Sequence, residues 1–512
     1  MLQTIKKYWS EILIVIILLL AGFFRLWHLN STPGWWPDEG VYLNISNNLL
    51  HGKAQMFAFT YPFFPHPPLY FLLATVFIKF LGYKILSLRI LASILGVILV
   101  FISYMMGRAT NNKIIGIIAA ILIAFMPETV IISKVGLTYN LLAIFYGLFL
   151  YFLYCYLKTK ETKYFSWIWV VTGLGCLTSI SAVPMVITAG LLSTSELINK
   201  RLNWNKILLA LLLFIVPILL YLGWELITQR GAFIHDLKYL FIRTDITSSK
   251  NSFLNFIVSL FGINGYLILG LIGLFFLPKN FRLWTLTFVI IILLTEYQSR
   301  KYFAWYGAYY IFIFYFGLAN GILKLSKYFI EEFFSDSVKV QILKNYLSFF
   351  ILFFIIYPNV SYLSNKISTR QFLETNYNRS QEESFSTGNV GYVYLTDAVL
   401  YINDRVNEND TVLASPHLSW MINALPTDPL LSYVYQDKAS TNFPSDMRTT
   451  DRFLYNASIS KAKFLLDDKF SRSWFYNQPG LKNDMNIIYD TWPKVFEAGD
   501  FHIYQNPIYS SK

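Results

Sequence analysis

Long apolar runs separated by short polar gaps make up residues 1–363 of the chain. Runs such as Ile85–Met106 and Ile114–Ile132 are long enough to cross a hydrocarbon core about 30 Å thick. The pattern predicts about eleven membrane-spanning helices. Their approximate ranges are 11–29, 85–107, 114–132, 138–157, 165–181, 183–199, 206–228, 253–277, 283–298, 301–323 and 345–363.

The basic residues in the gaps indicate how these helices are oriented, because Lys and Arg favour the cytoplasmic side of a membrane. The cytoplasmic gaps are then Lys6–Lys7, Arg108–Lys113, Lys158–Lys163, Lys200–Lys206, Lys279–Arg282 and Lys324–Lys344. This orientation requires that the apolar stretch Pro67–Leu81 does not cross. The stretch is short and begins with two prolines, so we predict a juxtamembrane or re-entrant helix there. An odd number of spans puts the C-terminal region on the outer side.

The C-terminal region, 364–512, has a different composition, with frequent Asn, Asp, Ser and Tyr. The pattern predicts a helix over 392–406 and strands over 411–414, 462–466, 486–489, 494–497 and 501–504. The predicted fold is therefore a polytopic α-helical membrane bundle, residues 1–363, with a small extracytoplasmic α/β domain, residues 364–512. The long outer loop 30–83 lies between the first two spans.

Composition supports a membrane protein. The 512 residues are 55% hydrophobic and only 14% charged, with a mean hydropathy of +0.45. A soluble domain has roughly 25% charged residues, so this chain lacks the side chains to cover a water-facing surface. The net charge of +12 comes from Lys and Arg spread through the gaps, which indicates topology and not nucleic-acid binding. The two cysteines, Cys155 and Cys176, lie in apolar stretches and imply no disulfide framework.

The long outer loop contains the candidate chemistry. Asp38 and Glu39 follow the first span, and a helical stripe then runs to Gly52, so Asp38 suits an N-cap and Gly52 the residue after the helix. Capping and general-base catalysis are both compatible with Asp38. His66 precedes a double proline and suits either a phosphate or metal contact or a place among lipid headgroups.

These residues belong to an ordered series that resembles the GT-C glycosyltransferases. The resemblance is greatest to the dolichyl-phosphate-mannose protein mannosyltransferases and the aminoarabinose lipid A transferases. The matching segments are Arg25-Leu26, Pro37-Asp38-Glu39, Leu50-His51-Gly52, His66-Pro67-Pro68-Leu69-Tyr70, Leu88-Arg89-Ile90-Leu91-Ala92-Ser93, Gly107-Arg108 and Ser299-Arg300-Lys301-Tyr302.

The resemblance implies an inverting transfer from a polyprenyl-phospho-sugar, with Asp38 as base and Glu39 supporting it through acceptor or metal contacts. The leaving phosphate requires cations or hydrogen-bond donors near the headgroup plane, for which the candidates are His66, Arg89, Arg300 and Lys301. The candidate sugar or acceptor contacts are Tyr42 and Asn140. Snorkelling to lipid phosphates is the alternative for Arg89 and Lys301.

Metal dependence stays open. No cofactor is certain, and a divalent ion would take Asp38, Glu39 and His66 as ligands. Many relatives have an acidic residue in the second outer turn, but this chain has none between Ser133 and Asn140, which puts a two-carboxylate metal site in doubt.

The implied partners are the polyprenyl-phosphate-linked donor, membrane lipid and a protein, lipid or envelope-glycan acceptor, and no nucleic acid. We expect a prokaryotic plasma membrane. Alternative functions are a transporter or flippase for lipid-linked glycans and a glycan polymerase or ligase of another membrane fold. A transport pathway would place ionisable residues within the spans, whereas the informative acids here follow a span.

Overall fold

A computed structural model describes residues 2–30, 33, 37–61, 66–110, 112–242, 257–258, 260, 264–298, 304–334, 337–369, 389–436, 438, 452–468, 471–472 and 479–509. Helices dominate up to residue 369. In chain order they are α1 (Leu2–Leu26), α2 (Pro37–Leu50), α3 (Leu69–Leu81), α4 (Ile85–Ala109), α5 (Lys113–Phe125), α6 (Pro127–Ile132), α7 (Thr138–Thr159), α8 (Thr162–Cys176), α9 (Val183–Ile198), α10 (Trp204–Thr228), α11 (Arg230–Ile242), α12 (Tyr266–Leu274), α13 (Lys279–Gln298), α14 (Ile311–Phe333) and α15 (Ser337–Thr369).

Within the described part of the chain, seven helices are long and apolar enough to cross a membrane. They are Tyr8–Leu26, Ile85–Ala109, Thr138–Thr159, Ile180–Ile198, Trp204–Thr228, Lys279–Gln298 and Val340–Asn365. Each overlaps a predicted span. Of the other four predicted ranges, 114–132 is divided into α5 and α6, 165–181 contains the 15-residue α8, 253–277 is described only in part, and 301–323 overlaps α14. The count of eleven stays a prediction.

The predicted third span is interrupted at Pro127. Proline has no N–H, so the carbonyl of Ile123 four residues earlier loses its helical donor. Thr129 Oγ1 donates to that carbonyl over 2.7 Å, and Arg25 Nη2 donates to it over 2.9 Å. Arg25 Nη1 also donates to the carbonyl of Ala124 over 3.1 Å. The buried guanidinium thus satisfies the end of α5 and ties it to α1.

Helix α3 spans the stretch that we predict not to cross. It has 13 residues, which corresponds to about 20 Å of helix, less than the roughly 30 Å of a hydrocarbon core. It ends before Gly82, whose φ of +92° turns the chain directly into α4.

Residues 389–509 contain a mixed sheet with helices. Strands β1 (Gln55–Met56) and β2 (Phe59–Thr60) form a small hairpin in loop 30–83. The elements of the C-terminal region are α16 (Asn389–Asn403), β3 (Thr411–Ala414), α17 (Pro416–Ser419), β4 (Leu425–Thr427), α18 (Pro429–Tyr435), β5 (Ala462–Asp467), α19 (Pro479–Thr491), β6 (Lys494–Ala498) and β7 (Phe501–Gln505). The strand order is β4-β3-β5-β7-β6. Strand β3 pairs in parallel with β4 and β5, and β7 is antiparallel to β5 and β6.

One predicted strand is wrong. Residues 486–489 lie inside α19, whose buried side chains are Leu481, Met485 and Ile488, with Trp492 directly after it. Their spacing of four, three and four residues is that of one helix face. The β-type residues at 486–489 therefore predicted the secondary structure less well than the helical spacing of apolar residues from Leu481 to Trp492 did.

The C-terminal region is joined to loop 30–83 through Arg452. Its guanidinium donates to both carboxylate oxygens of Asp236 on α11, over 2.5 and 3.3 Å, and to the carbonyl of Thr60, over 2.8 Å. It also stacks 3.9 Å above the ring of Phe59. The Leu454 N–H donates to the Ala58 carbonyl, so this segment extends the β1–β2 hairpin. We call these contacts the Arg452 junction.

Candidate functional site

The acidic pair lies in the first turn of α2. Asp38 and Glu39 are its first-turn acids, and a negative charge at a helix N-terminus is favoured by the helix dipole. The helix begins at Pro37, one residue before the predicted N-cap, Asp38. At the other end Gly52 has a φ of +72° and its N–H donates to the Leu49 carbonyl, which agrees with its predicted place after the helix.

Glu39 is fully buried and forms a two-pronged ion pair with Arg89 of α4. Arg89 Nε lies 2.8 Å from Oε1, and Arg89 Nη2 lies 2.6 Å from Oε2. The Gly136 N–H donates to Oε1 over 2.9 Å. The carboxylate is held by donors from two other segments of the chain, which makes it a fixed anchor for α2.

Arg89 also anchors the chain that leads into α2. Its Nη1 donates to the carbonyls of Leu29 and Pro33, over 3.1 and 2.9 Å. The side chain is 1% exposed, and each of its three nitrogens has a protein acceptor. The observed role of the guanidinium is to hold Glu39 and the segment before α2. A contact between Arg89 and a donor phosphate stays a prediction.

Asp38 has a different environment from its neighbour. It is half-buried, whereas Glu39 and Gly40 are buried. Because residues four apart share a helix face, Asp38 lies on the same face of α2 as Tyr42. The helix thus directs its two acids to different surroundings, one against α4 and one beside Tyr42.

Tyr42 and His66 meet in an aromatic cluster. The Tyr42 ring packs edge-on against His66, with centroids 5.5 Å apart, and against Phe71, at 5.4 Å. His66 also stacks with Tyr61 at 6.1 Å. Tyr42 is 2% exposed and His66 is half-buried. The structure therefore brings His66 to the Asp38 face of α2, and sugar contact by Tyr42 stays a prediction.

Asn140 orders the turn between α6 and α7. Its Nδ2 donates to the carbonyls of Ile132, Val135 and Leu137, over 3.1, 2.9 and 3.4 Å. This turn contains Gly136, so Asn140 helps to present the N–H that Glu39 accepts. A direct sugar contact by Asn140 stays a prediction.

Asn140 also lines a cavity of about 20 Å³ together with Arg25 and Glu128. That volume suits one water molecule. Glu128 is buried there and accepts hydrogen bonds from Asn264 Nδ2, over 2.7 Å, and Tyr315 OH, over 2.9 Å. It connects α6 to the start of α12 and to α14.

Sequence reasoning missed Lys134. The residue is fully buried, and its Nζ donates to the carbonyls of Trp27, Arg25 and Phe24, over 2.5, 3.2 and 3.4 Å. It satisfies the C-terminal end of α1. Burial beside Arg89 and Arg25 lowers the pKa of Lys134 to about 7. The sequence did contain one indication of this role: Lys134 lies in a short turn predicted to be on the outer side, where the positive-inside rule does not account for a lysine.

Arg300 and Lys301, the other predicted phosphate ligands, lie outside the described residues. Among the residues that are described, no group of three or more His, Cys, Asp and Glu could hold a metal ion. Both oxygens of Glu39 already accept hydrogen bonds from protein donors. Metal binding by Asp38, Glu39 and His66 stays a prediction, and we derive no step through a metal.

Comparisons with known proteins identify the fold. Residues 65–224 match the family model described as dolichyl-phosphate-mannose-protein mannosyltransferase. No curated protein sequence matches the chain. The structure resembles that of ArnT from Cupriavidus metallidurans bound to undecaprenyl phosphate, with 13% identity, 98% of each chain covered and a TM-score of 0.62.

A second similar structure is the archaeal oligosaccharyltransferase AglB from Archaeoglobus fulgidus, in complex with an inhibitory peptide and a dolichol-phosphate. The identity is 14%, the TM-score is 0.53, and the match covers 98% of this chain and 74% of AglB. The resemblance to the GT-C glycosyltransferases is thereby confirmed, and the fold is that of an integral membrane protein.

Proposed function

We propose that this chain, which has the GT-C membrane fold, is an inverting glycosyltransferase that moves a sugar from a polyprenyl-phosphate carrier to an acceptor on the outer side of the membrane. The observation that carries the proposal is the buried Glu39–Arg89 pair, which fixes the start of α2 and with it Asp38. ArnT with undecaprenyl phosphate and AglB with a dolichol-phosphate support a lipid-phosphate donor.

Asp38 is the base in this mechanism. As the acceptor hydroxyl attacks the anomeric carbon, Asp38 takes its proton, so the attacking oxygen gains nucleophilicity. The bond between the anomeric carbon and the phosphate oxygen breaks, and the electron pair leaves with the polyprenyl phosphate. A single displacement inverts the anomeric centre and needs no second carboxylate as a nucleophile. The helix dipole at the start of α2 favours the ionised form of Asp38.

Glu39 and Arg89 act as positioning residues. A misplacement of a base by about 1 Å can cost on the order of 100-fold in rate, so a rigid support for Asp38 contributes to catalysis. Leu29 and Pro33, which both accept from Arg89, extend that support to the segment before the helix.

His66, Arg300 and Lys301 are the proposed donor-phosphate ligands. A leaving phosphate gains negative charge, which cationic or N–H donors stabilise in the transition state. His66 meets this requirement from the Asp38 face of α2, where Tyr42 and Tyr61 hold its ring. The acceptor stays a protein, a lipid or an envelope glycan, and the proposed location is a prokaryotic plasma membrane.

An assay with a radiolabelled polyprenyl-phospho-sugar tests the proposal. Purified protein in proteoliposomes should convert the donor into labelled acceptor and free polyprenyl phosphate when candidate acceptors are supplied. A flippase would move the intact donor across the bilayer without breaking the phosphate–sugar bond. A polymerase or ligase would transfer a complete lipid-linked glycan and leave a monosaccharide donor unused. Either result would replace the proposed reaction.

A further inference from the structure

A basic pocket lies at the turn between α9 and α10. It has a volume of about 480 Å³ and is lined by Leu197, Lys200, Arg201, Leu202, Asn203, Trp204 and Lys206. Three of these residues carry a positive charge and none carries a negative one. The pocket lies at the far end of α7 from the candidate active site. Gly136, just before α7, donates to Glu39, while Tyr156 and Lys160, near its end, bind Glu196 of α9.

A buried carboxylate, Glu196, fixes the turn beside this pocket. Glu196 is 2% exposed and accepts hydrogen bonds from Tyr156 OH, over 2.8 Å, Lys160 Nζ, over 3.2 Å, and Arg201 Nη1, over 3.5 Å. The N–H groups of Arg201 and Leu202 donate to the Glu196 carbonyl. The turn is therefore a defined structure, and Glu196 neutralises only part of the surrounding positive charge.

The remaining charge comes from Lys200 and Lys206, which are exposed and have no ion pair within the described chain. Lys200 has a φ of +53°, in the left-handed region, where the turn reverses direction. Asn203 Oδ1 accepts the N–H of Lys206 and caps α10. By contrast, Lys113 and Lys327 each lie within 3.4 Å of a carboxylate oxygen.

The helix that leaves the pocket has an exposed apolar face that suits a lipid chain. Only 11% of the apolar window of α10 is buried, compared with 78% for α7. Trp204 is 65% exposed at the pocket, and Leu208 and Leu212 are more than half exposed along the next turns. An acyl chain can lie along these side chains while its phosphate reaches the lysines. A tryptophan and a lysine at a helix end are typical of a membrane interface.

We propose that this pocket binds the phosphate of an anionic phospholipid, whose acyl chains pack along α10. The pocket belongs to the Lys200–Lys206 gap, which the positive-inside rule predicts to be cytoplasmic. Basic pockets between membrane helices on that side bind such headgroups, because they face the anionic leaflet. The proposal does not depend on glycosyl transfer, and lipid binding is measured separately from turnover.

Lipid titration of the purified full-length protein, followed by native mass spectrometry, tests the proposal. The probes are dioleoyl phosphatidylglycerol and dioleoyl phosphatidylcholine. The wild type should bind one phosphatidylglycerol in preference to phosphatidylcholine. The variant Lys200→Gln/Arg201→Gln/Lys206→Gln should bind phosphatidylglycerol about tenfold more weakly, since each basic group near an anionic lipid contributes on the order of 1 kcal/mol before screening.

The matched control is Lys113→Gln/Lys163→Gln/Lys327→Gln, which removes the same charge from lysines that already pair with Glu11, Glu161 and Glu331. It should bind phosphatidylglycerol within about twofold of the wild type, given the small contribution of exposed ion pairs. Equal weakening in both triple variants would show a general surface-charge effect and overturn the pocket. Competition by millimolar inorganic phosphate alone would overturn the lipid assignment.

Two measurements keep the test decisive if the triple variant does not fold. In the wild type, a photoactivatable phosphatidylglycerol should cross-link to peptides that contain 197–209, and cross-links confined to other helices would contradict the site. The single variant Lys206→Gln should weaken phosphatidylglycerol binding without changing phosphatidylcholine binding. Unchanged binding of both lipids by that variant would overturn the proposal.

Discussion

Asp38 and Glu39 are neighbours in the chain, yet the fold gives them different tasks. Glu39 is buried and bound by Arg89 and the Gly136 N–H, whereas Asp38 is half-buried on the Tyr42 face of α2. Sequence reasoning located the pair, and it identified Arg89 as important. It did not join Glu39 to Arg89, because that contact spans 50 residues and depends on how α2 folds back onto α4.

Asp38→Asn should abolish transfer, with a loss of about 100- to 10,000-fold in turnover, because the amide cannot accept the acceptor's proton. The thermal unfolding midpoint should stay near that of the wild type. Asp397→Asn, at an exposed aspartate of α16, is the matched control and should keep full activity. Turnover like that of the wild type in Asp38→Asn would remove Asp38 from the mechanism.

Glu39→Gln and Arg89→Met should each lower the free energy of unfolding by about 3–5 kcal/mol, since each leaves a buried charge without its partner. The double variant should cost less than the sum of the two single variants. Detergent-based unfolding titrations of all four proteins measure this coupling. Additive losses would contradict the coupling of the two side chains. A Glu39→Gln variant that is inactive at full stability would instead make Glu39 a direct participant in the reaction.

At the scale of elements, glycines set how closely the helices approach. A Cβ on Gly273 of α12 would lie 2.0 Å from the carbonyl oxygen of Gly317 in α14, and one on Gly107 would lie 2.2 Å from Gly116. Small residues allow such backbone contact between membrane helices. The apolar runs predicted these helices, but not which of them touch, because the spacing of glycines alone does not name the partner helix.

Gly273→Ala should destabilise the protein by about 1–3 kcal/mol or more, because the added methyl group forces α12 and α14 apart. The thermal unfolding midpoint and the monodisperse yield measure the effect. Gly190→Ala in α9 is the control, since a Cβ there meets no atom within 4 Å. It should be neutral or stabilising by up to about 1 kcal/mol. Equal behaviour of the two variants would contradict the proposed close contact.

At the scale of the whole molecule, the Arg452 junction joins three distant parts of the chain: the β1–β2 hairpin, α11 and the C-terminal region. The hairpin is in turn held by α2, where Asn44 Oδ1 accepts the Phe57 N–H over 2.8 Å. Sequence patterns predicted an α/β region and a separate loop. They gave no sign of the junction, since an arginine and an aspartate 216 residues apart form no local pattern.

Arg452→Met should weaken the attachment of the C-terminal region, because it leaves Asp236 buried without its partner, at a cost of about 3–5 kcal/mol. Limited proteolysis should cut the C-terminal region faster than in the wild type, and transfer activity should fall. Arg405→Met is the control, since Arg405 is exposed and its guanidinium contacts Tyr401, four residues earlier in the chain. Identical proteolysis rates in the two variants would argue against the junction.

The Arg452 junction also has a consequence in time. Thr60 leaves the ribosome 392 residues before Arg452, an interval of about 20–80 s at bacterial-type elongation rates. For the last 216 residues of this interval Asp236 has been made and Arg452 has not. Until Arg452 and Leu454 have been made, Asp236 lacks this ion pair and the hairpin lacks its added strand, so this surface can close only after residue 454 has been synthesised.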